Sequence, residues 1–143
     1  SSNLLLGSGL MPLQGLRAAG VPLSVGTDVG AGPSCSVIKT LADAMRTQQL
    51  RGEPLSPLSA FYLATLGGAR ALQLDQYVGS LQPGREADFL LLDASAQPEL
   101  STRLGAAKTL DERLALLILL GDDRLVREVN ILGERVRLDV AEP

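Results

Sequence analysis

The spacing of apolar residues predicts a mainly helical first half of the chain. Helices are predicted over residues 12–19, from Ser36 to about Leu50, and over residues 58–66. The second helix has its apolar residues on one face and a serine that can cap its N-terminus. Gly20, just past the end of the first helix, is a typical stop signal.

Two non-helical segments flank the first predicted helix. Residues 1–9 are mostly small apart from a leucine triplet, and we expect a loop there. Residues 22–26 predict a short buried strand that ends at Gly26-Thr27-Asp28 and runs into a glycine-rich loop. A strand and loop followed by consecutive helices are typical of an α/β fold.

The pattern becomes strand-like after residue 78. An apolar run over residues 87–92 predicts a strand, and alternation of apolar and polar residues around Gly133 predicts a hairpin. We therefore expect a small β-layer with strands within about 78–93 and 125–140.

The segment between these strands is expected to be part loop and part helix. Residues 94–107 have no clear period, which predicts an irregular surface loop. Residues 110–120 are predicted to form a helix that ends at Gly121.

The composition and the net charge indicate which classes of partner and which compartment to expect. The net charge is −3 and the basic residues are scattered, so we expect no nucleic acid partner. The longest apolar run is far shorter than the roughly 20 residues that span a bilayer, so we expect no membrane partner. The single cysteine fits a reducing compartment, and we expect a cytoplasmic protein.

Asp28 is the residue best suited to chemistry. It follows a predicted strand, at the position where α/β barrel enzymes carry metal ligands and proton-transfer groups. A carboxylate there can bind a metal ion and accept a proton from the water that the metal activates. The alternative is that Asp28 only caps or pins the loop, as aspartate does in many turns.

The chain contains no histidine, which limits what Asp28 can do alone. A zinc site normally needs at least three protein ligands, usually including histidine. We therefore expect this chain to be the last part of a larger metalloenzyme, carrying one ligand and binding no zinc by itself.

Two further groups have simpler structural interpretations. Asp122-Asp123-Arg124 places an acidic pair beside a cation, which on its own favours a solvated turn at the end of a helix. Cys35 lies close to a predicted helix N-terminus, but the chain offers no histidine to act as its base. We expect a capping or core role for it rather than a nucleophilic one.

Several segments resemble the amidohydrolase superfamily. The residues that carry this resemblance are Ser2-Asn3-Leu4, Gly26-Thr27-Asp28 and the segment 83–88, Pro-Gly-Arg-Glu-Ala-Asp, which precedes an apolar run. Within the superfamily, residues 64–72 and the Leu-Gly-Asp-Asp-Arg element at 120–124 resemble the guanine deaminase family. The resemblance covers essentially the whole chain.

The resemblance implies a fold and a reaction. Residues 1–77 would be the C-terminal part of a metal-dependent-hydrolase TIM barrel, and residues 78–143 would return into a small β-sandwich. The intact enzyme would use Zn²⁺ to convert guanine and water into xanthine and ammonia, with Asp28 as both metal ligand and catalytic base. We expect a homodimer, and no activity from this chain alone, because the other ligands and the purine-binding residues would lie upstream of Ser1.

Two other functions remain open at this point. The chain could belong to another amidohydrolase, such as an aminohydrolase or chlorohydrolase, since the residues that would recognise the substrate are absent. It could also be a non-catalytic interaction module, which the lack of histidine favours and the strand-end aspartate disfavours.

Overall fold

The computed structural model describes residues 2–136, which form helices around a small core and a three-stranded sheet. No helix within this range is long and apolar enough to cross a membrane. Short 3₁₀ turns lie at Ala94–Ala96 and Asp123–Leu125. The helices are α1 (Ser2–Leu6), α2 (Leu13–Ala18), α3 (Val37–Leu50), α4 (Pro57–Ala64), α5 (Leu66–Ala71), α6 (Pro98–Ala106) and α7 (Leu110–Leu120), and the strands are β1 (Phe89–Leu92), β2 (Val126–Ile131) and β3 (Glu134–Arg135).

Helix α3 forms where the sequence predicts it. The Ser36 Oγ accepts a hydrogen bond from the Lys39 N–H at 3.4 Å, which satisfies one of the free donors of the first turn. The Thr40 hydroxyl donates to the Ser36 carbonyl at 3.1 Å. The buried face of α3 includes Leu41 and Ala42, so one side of the helix is fixed against the core.

Helix α7 has well-defined signals at both ends and coincides with the predicted helix. Thr109 and Glu112 form a capping box, in which each side chain accepts a hydrogen bond from the other residue's backbone N–H. Gly121 follows the last turn. A Cβ at that position would overlap the Leu117 carbonyl and lie 2.7 Å from the Leu125 side chain, so only glycine fits there.

The core lies where α3, α4 and α7 meet, and Leu13 of α2 contributes to it. Helix α3 packs against α4 and α7, and α4 also packs against α7. The side chains that share this core are aliphatic, as the near absence of aromatic residues requires: Leu13, Leu41, Ala42, Leu55, Ala60, Leu63 and Ile118.

The small β-layer is an antiparallel sheet in the order β1-β2-β3. Phe89 pairs with Asn130, and Ile131 pairs with Glu134 across the predicted hairpin. Leu132 and Gly133 both have positive φ, at 55° and 78°, as a two-residue type I′ turn requires. Residues 137–140 of the predicted hairpin lie outside the described residues.

Three local predictions are wrong. Residues 94–107, predicted as a loop, contain α6, which buries Leu100 and packs against α7. The burial of Leu100 favours this helix even though the sequence shows no clear helical period. Residues 2–6, also predicted as loop, form α1, in agreement with the helix preference of the leucine triplet.

The predicted strand over residues 22–26 is also absent. The Val25 N–H of this segment donates a hydrogen bond to the Leu63 carbonyl at 3.4 Å, and Leu63 belongs to helix α4 rather than to a neighbouring strand. A strand requires a paired neighbour. No strand within residues 2–136 lies beside this segment, so it is not a β-strand in this structure.

Candidate functional site

Asp28 lies at the tip of a turn that is held by its backbone. Its φ is 50°, in the left-handed region that aspartate tolerates better than most residues. Its carbonyl accepts hydrogen bonds from the Ala31 N–H at 3.1 Å and the Gly32 N–H at 2.5 Å. Its side chain is exposed and makes no hydrogen bond or ion pair with any residue in 2–136. The carboxylate is therefore not used to cap the turn.

The glycines after Asp28 are needed for this turn. Gly30 has a φ of 116°, which strongly favours glycine. Gly32 is buried, and a Cβ on it would overlap the Thr27 carbonyl and lie 3.0 Å from the Asp28 carbonyl oxygen. The Gly-x-Gly spacing thus permits the close backbone approach that presents the Asp28 carboxylate to solvent.

A cleft of about 330 Å³ begins five residues after Asp28. Pro33, Ser34 and residues of α3, including Lys39, line it. The end of α7 and the turn at Gly121 and Asp122 also line it. The loop that follows Asp28 therefore leads directly to a cleft lined by both apolar and charged residues.

The acidic pair singled out in the sequence forms one side of this cleft and is not a simple solvated turn. Asp122 is only 8% exposed. Its Oδ1 accepts from the Arg124 Nε at 2.9 Å and from the Gln97 Nε2 at 2.9 Å, while its Oδ2 accepts from the Arg124 Nη2 at 2.8 Å. The Arg124 guanidinium lowers the pKa of Asp122 from 3.8 to about 2. The carboxylate is therefore fixed as an anion.

Cys35 does not have the core role that we expected. Its side chain is exposed. The neighbouring serines stabilise the start of α3 instead: Ser36 caps the helix, and the Ser34 Oγ accepts a hydrogen bond from the Ser36 N–H at 3.0 Å. The cysteine lies between them and faces solvent.

The described residues do not by themselves form a metal centre. Within residues 2–136 no three His, Cys, Asp or Glu side chains come together in a way that could hold a metal ion. The Asp28 carboxylate fits zinc in donor type and in its exposure, but it can supply one ligand where a site needs about three or four. Gln97, which sequence reasoning missed, contributes to the Asp122 cluster and not to a metal site.

Comparison with known proteins identifies the family. The family model described as "Amidohydrolase family" matches residues 1–136 of this chain. The chain belongs to the amidohydrolase family. The predicted resemblance to this superfamily is confirmed.

Within the family, the chain is similar to guanine deaminases. The chain is 41% identical over 136 residues to guanine deaminase of Escherichia coli, covering 95% of this chain and 31% of that enzyme. It is 44% identical over 135 residues to a probable guanine deaminase of Deinococcus radiodurans, covering 92% and 31%. The chain thus spans about a third of the length of these relatives.

Solved structures agree with this assignment. The E. coli guanine deaminase superimposes with a TM-score of 0.91 at 41% identity, covering 95% of this chain and 32% of that one. A guanine deaminase from C. acetobutylicum with bound guanine gives 0.76 at 33% identity, covering 95% and 32%. An adenosine deaminase from Xanthomonas campestris with bound zinc gives 0.78 at 29% identity, covering 94% and 30%. The α/β fold of an amidohydrolase is therefore established for this chain.

Proposed function

We propose that this chain supplies the C-terminal third of a zinc-dependent guanine deaminase, which converts guanine and water into xanthine and ammonia. The support is the identity to guanine deaminases over nearly the whole chain, together with the likeness to a relative that has guanine bound. The element at 120–124, which the sequence singled out, contributes a fixed ion pair beside the cleft.

Asp28 is the residue that we propose as metal ligand and catalytic base. The observation that carries this role is that its carboxylate is exposed and unbonded within residues 2–136, while backbone hydrogen bonds hold the turn. When bound, zinc supplies Lewis acidity that makes a water nucleophilic near neutral pH. The Asp28 carboxylate would be one of the groups that hold the metal and would accept a proton from the attacking water.

The proposal extends to the architecture. Residues 1–77 would complete an eight-stranded barrel, in which residues 22–26 would find the neighbouring strand that they lack here. Residues 78–143 would contribute to a β-sandwich. Strand β1 supports this view because Leu90 and Leu91, which point to opposite faces, are 53% and 44% exposed. We also propose a homodimer and a cytoplasmic location for the enzyme.

The test is a substrate assay on the full-length enzyme that contains this sequence. We expect the zinc-loaded enzyme to form equal amounts of xanthine and ammonia from guanine, and to lose that activity on removal of zinc by a chelator. Adenosine and a chlorinated triazine serve as comparison substrates. Faster turnover of either one than of guanine would place the chain with another amidohydrolase, and no turnover at all would favour a non-catalytic module.

A further inference from the structure

Three segments that are far apart in the sequence converge on the Asp122 side chain. Gln97, between the first 3₁₀ turn and α6, donates to it from 25 residues away. Arg124 binds both carboxylate oxygens from the second 3₁₀ turn, which leads into β2. Lys39 of α3 acts on it electrostatically. One carboxylate therefore joins the turn before β2 to the segment before α6, and it lies near a charge of α3.

The same turn lines one cleft with the residues that follow the Asp28 turn. Gly121 and Asp122 are lining residues, as are Pro33 and Ser34. The Lys39 Nζ is 4.0 Å from an Asp123 carboxylate oxygen, so a charge of α3 also meets a charge of this turn. Because α3 begins directly after this loop, a shift of its first turn would move the backbone that leads back to Asp28.

The chemistry of the Asp122 cluster makes it a firm support. A two-pronged arginine–carboxylate pair fixes orientation as well as distance, since both oxygens are engaged. The Asp122 side chain is only 12% exposed, so removing its charge would weaken the hydrogen bonds that Gln97 and Arg124 donate to a largely buried acceptor, although the Arg124 side chain itself is exposed. Lone exposed ion pairs such as Lys39–Asp123 are weak by comparison.

We infer that Asp122 is a positioning residue for the Asp28 loop. By binding Gln97 and Arg124 it fixes the 121–124 turn, which follows α7 and meets α3 through the Lys39–Asp123 ion pair and through the packing of α7 on α3. The fixed turn thereby restrains the start of α3 and the loop before it. Asp122 does not touch the reacting groups. Its consequence for catalysis rests on the proposed function, whereas its effect on the loop does not.

Amide hydrogen exchange of the full-length enzyme that contains this sequence tests the inference without substrate. The N–H groups of Ala31 and Gly32 donate to the Asp28 carbonyl and report directly on the loop. We expect Asp122→Asn to speed their exchange about two- to thirty-fold, the range of coupling through packed networks, with the core amide of Ala60 unchanged. Arg124→Gln, at an exposed arginine whose loss should not prevent folding, should act in the same direction.

Asp93→Asn is the matched control. Asp93, just before the Ala94–Ala96 turn, accepts a hydrogen bond from the Ser95 N–H and forms an ion pair with Arg127 at 3.6 Å. It does not line the cleft. Its loss should leave Ala31 and Gly32 unchanged. Unchanged exchange in both Asp122→Asn and Arg124→Gln, equal acceleration in Asp93→Asn, or acceleration of Ala60 to the same extent would each overturn the inference. A wild-type enzyme inactive on guanine would count against the proposed function alone.

Discussion

At the scale of single residues, Asp28 has two candidate roles, that of metal ligand and base and that of a residue which only stabilises its turn. If it is ligand and base, Asp28→Asn in the full-length enzyme should lower the rate of guanine hydrolysis by about 10²–10⁴-fold. Thermal stability should hardly change, because asparagine tolerates the same positive φ and the carboxylate supports nothing in the described chain. Both are measured on one preparation, by turnover and by melting temperature.

The control for this substitution is Asp111→Asn, which changes an acid in the first turn of α7. That variant should keep nearly full activity. An Asp28→Asn enzyme with more than about a tenth of wild-type activity would fall outside the general-base range and make Asp28 a turn residue.

Asp122 gives a pH-dependent prediction at the same scale. Its pKa is lowered from 3.8 to about 2 in the folded chain by the Arg124 hydrogen bonds. A depressed carboxyl pKa stabilises the fold above about pH 4, and this contribution is lost as the pH falls towards 2. Melting temperatures measured between pH 6 and pH 2 should therefore fall more steeply for wild type than for Asp122→Asn. Parallel curves would contradict the assignment.

At the scale of elements, sequence reasoning succeeded where the signal is local. Helices α3 and α7 carry their own caps, Ser36 and Thr109, and both were predicted within a residue or two. Helix α6 was missed because no clear apolar period marks it, although Pro98 at its start and the Glu99–Arg103 pair are typical helix signals and Leu100 is buried. The strand over residues 22–26 was predicted from its apolar residues. A strand forms only where a neighbouring strand pairs with it, and within residues 2–136 none lies beside this segment.

The candidate site likewise has features that local sequence signals predict and features that depend on contacts between distant residues. The position of Asp28 in a glycine-rich turn was predictable from Gly26-Thr27-Asp28 and the glycines that follow. The bond from Gln97 to Asp122 was not, because 25 residues separate the two and nothing in either segment indicates the contact.

The capping box of α7 allows an element-scale test. Thr109→Ala removes the acceptor for the Glu112 N–H, now bonded at 3.1 Å, and should cost about 0.5–2 kcal/mol of unfolding free energy. The matched control is Thr102→Ala. The Thr102 hydroxyl donates to the Pro98 carbonyl within α6, where its loss should cost no more than about 0.5 kcal/mol. Denaturant unfolding measures both, and equal costs would show that the box does not stabilise α7.

At the scale of the whole molecule, much apolar surface is left uncovered. Leu5 and Leu6 of α1 are 67% and 65% exposed, and the leucines of β1 are exposed on both faces of the sheet. Extended apolar surface of this kind marks contact with further protein. This agrees with a chain that spans about a third of its relatives, and we expect the isolated chain to associate.

Metal binding is the last whole-molecule prediction. A structural zinc site draws its affinity from several deprotonated ligands acting together, and within residues 2–136 Asp28 has no such neighbours. Calorimetric titration of the isolated chain at neutral pH should therefore show only weak zinc binding, with the same heats for wild type, Asp28→Asn and Cys35→Ser.

In the full-length enzyme, by contrast, Asp28→Asn should speed the loss of zinc to a chelator. Stoichiometric binding below micromolar concentration by the isolated wild-type chain would contradict the view that Asp28 is one ligand of a site completed elsewhere. If Cys35→Ser abolished that binding, the thiol would be the ligand instead.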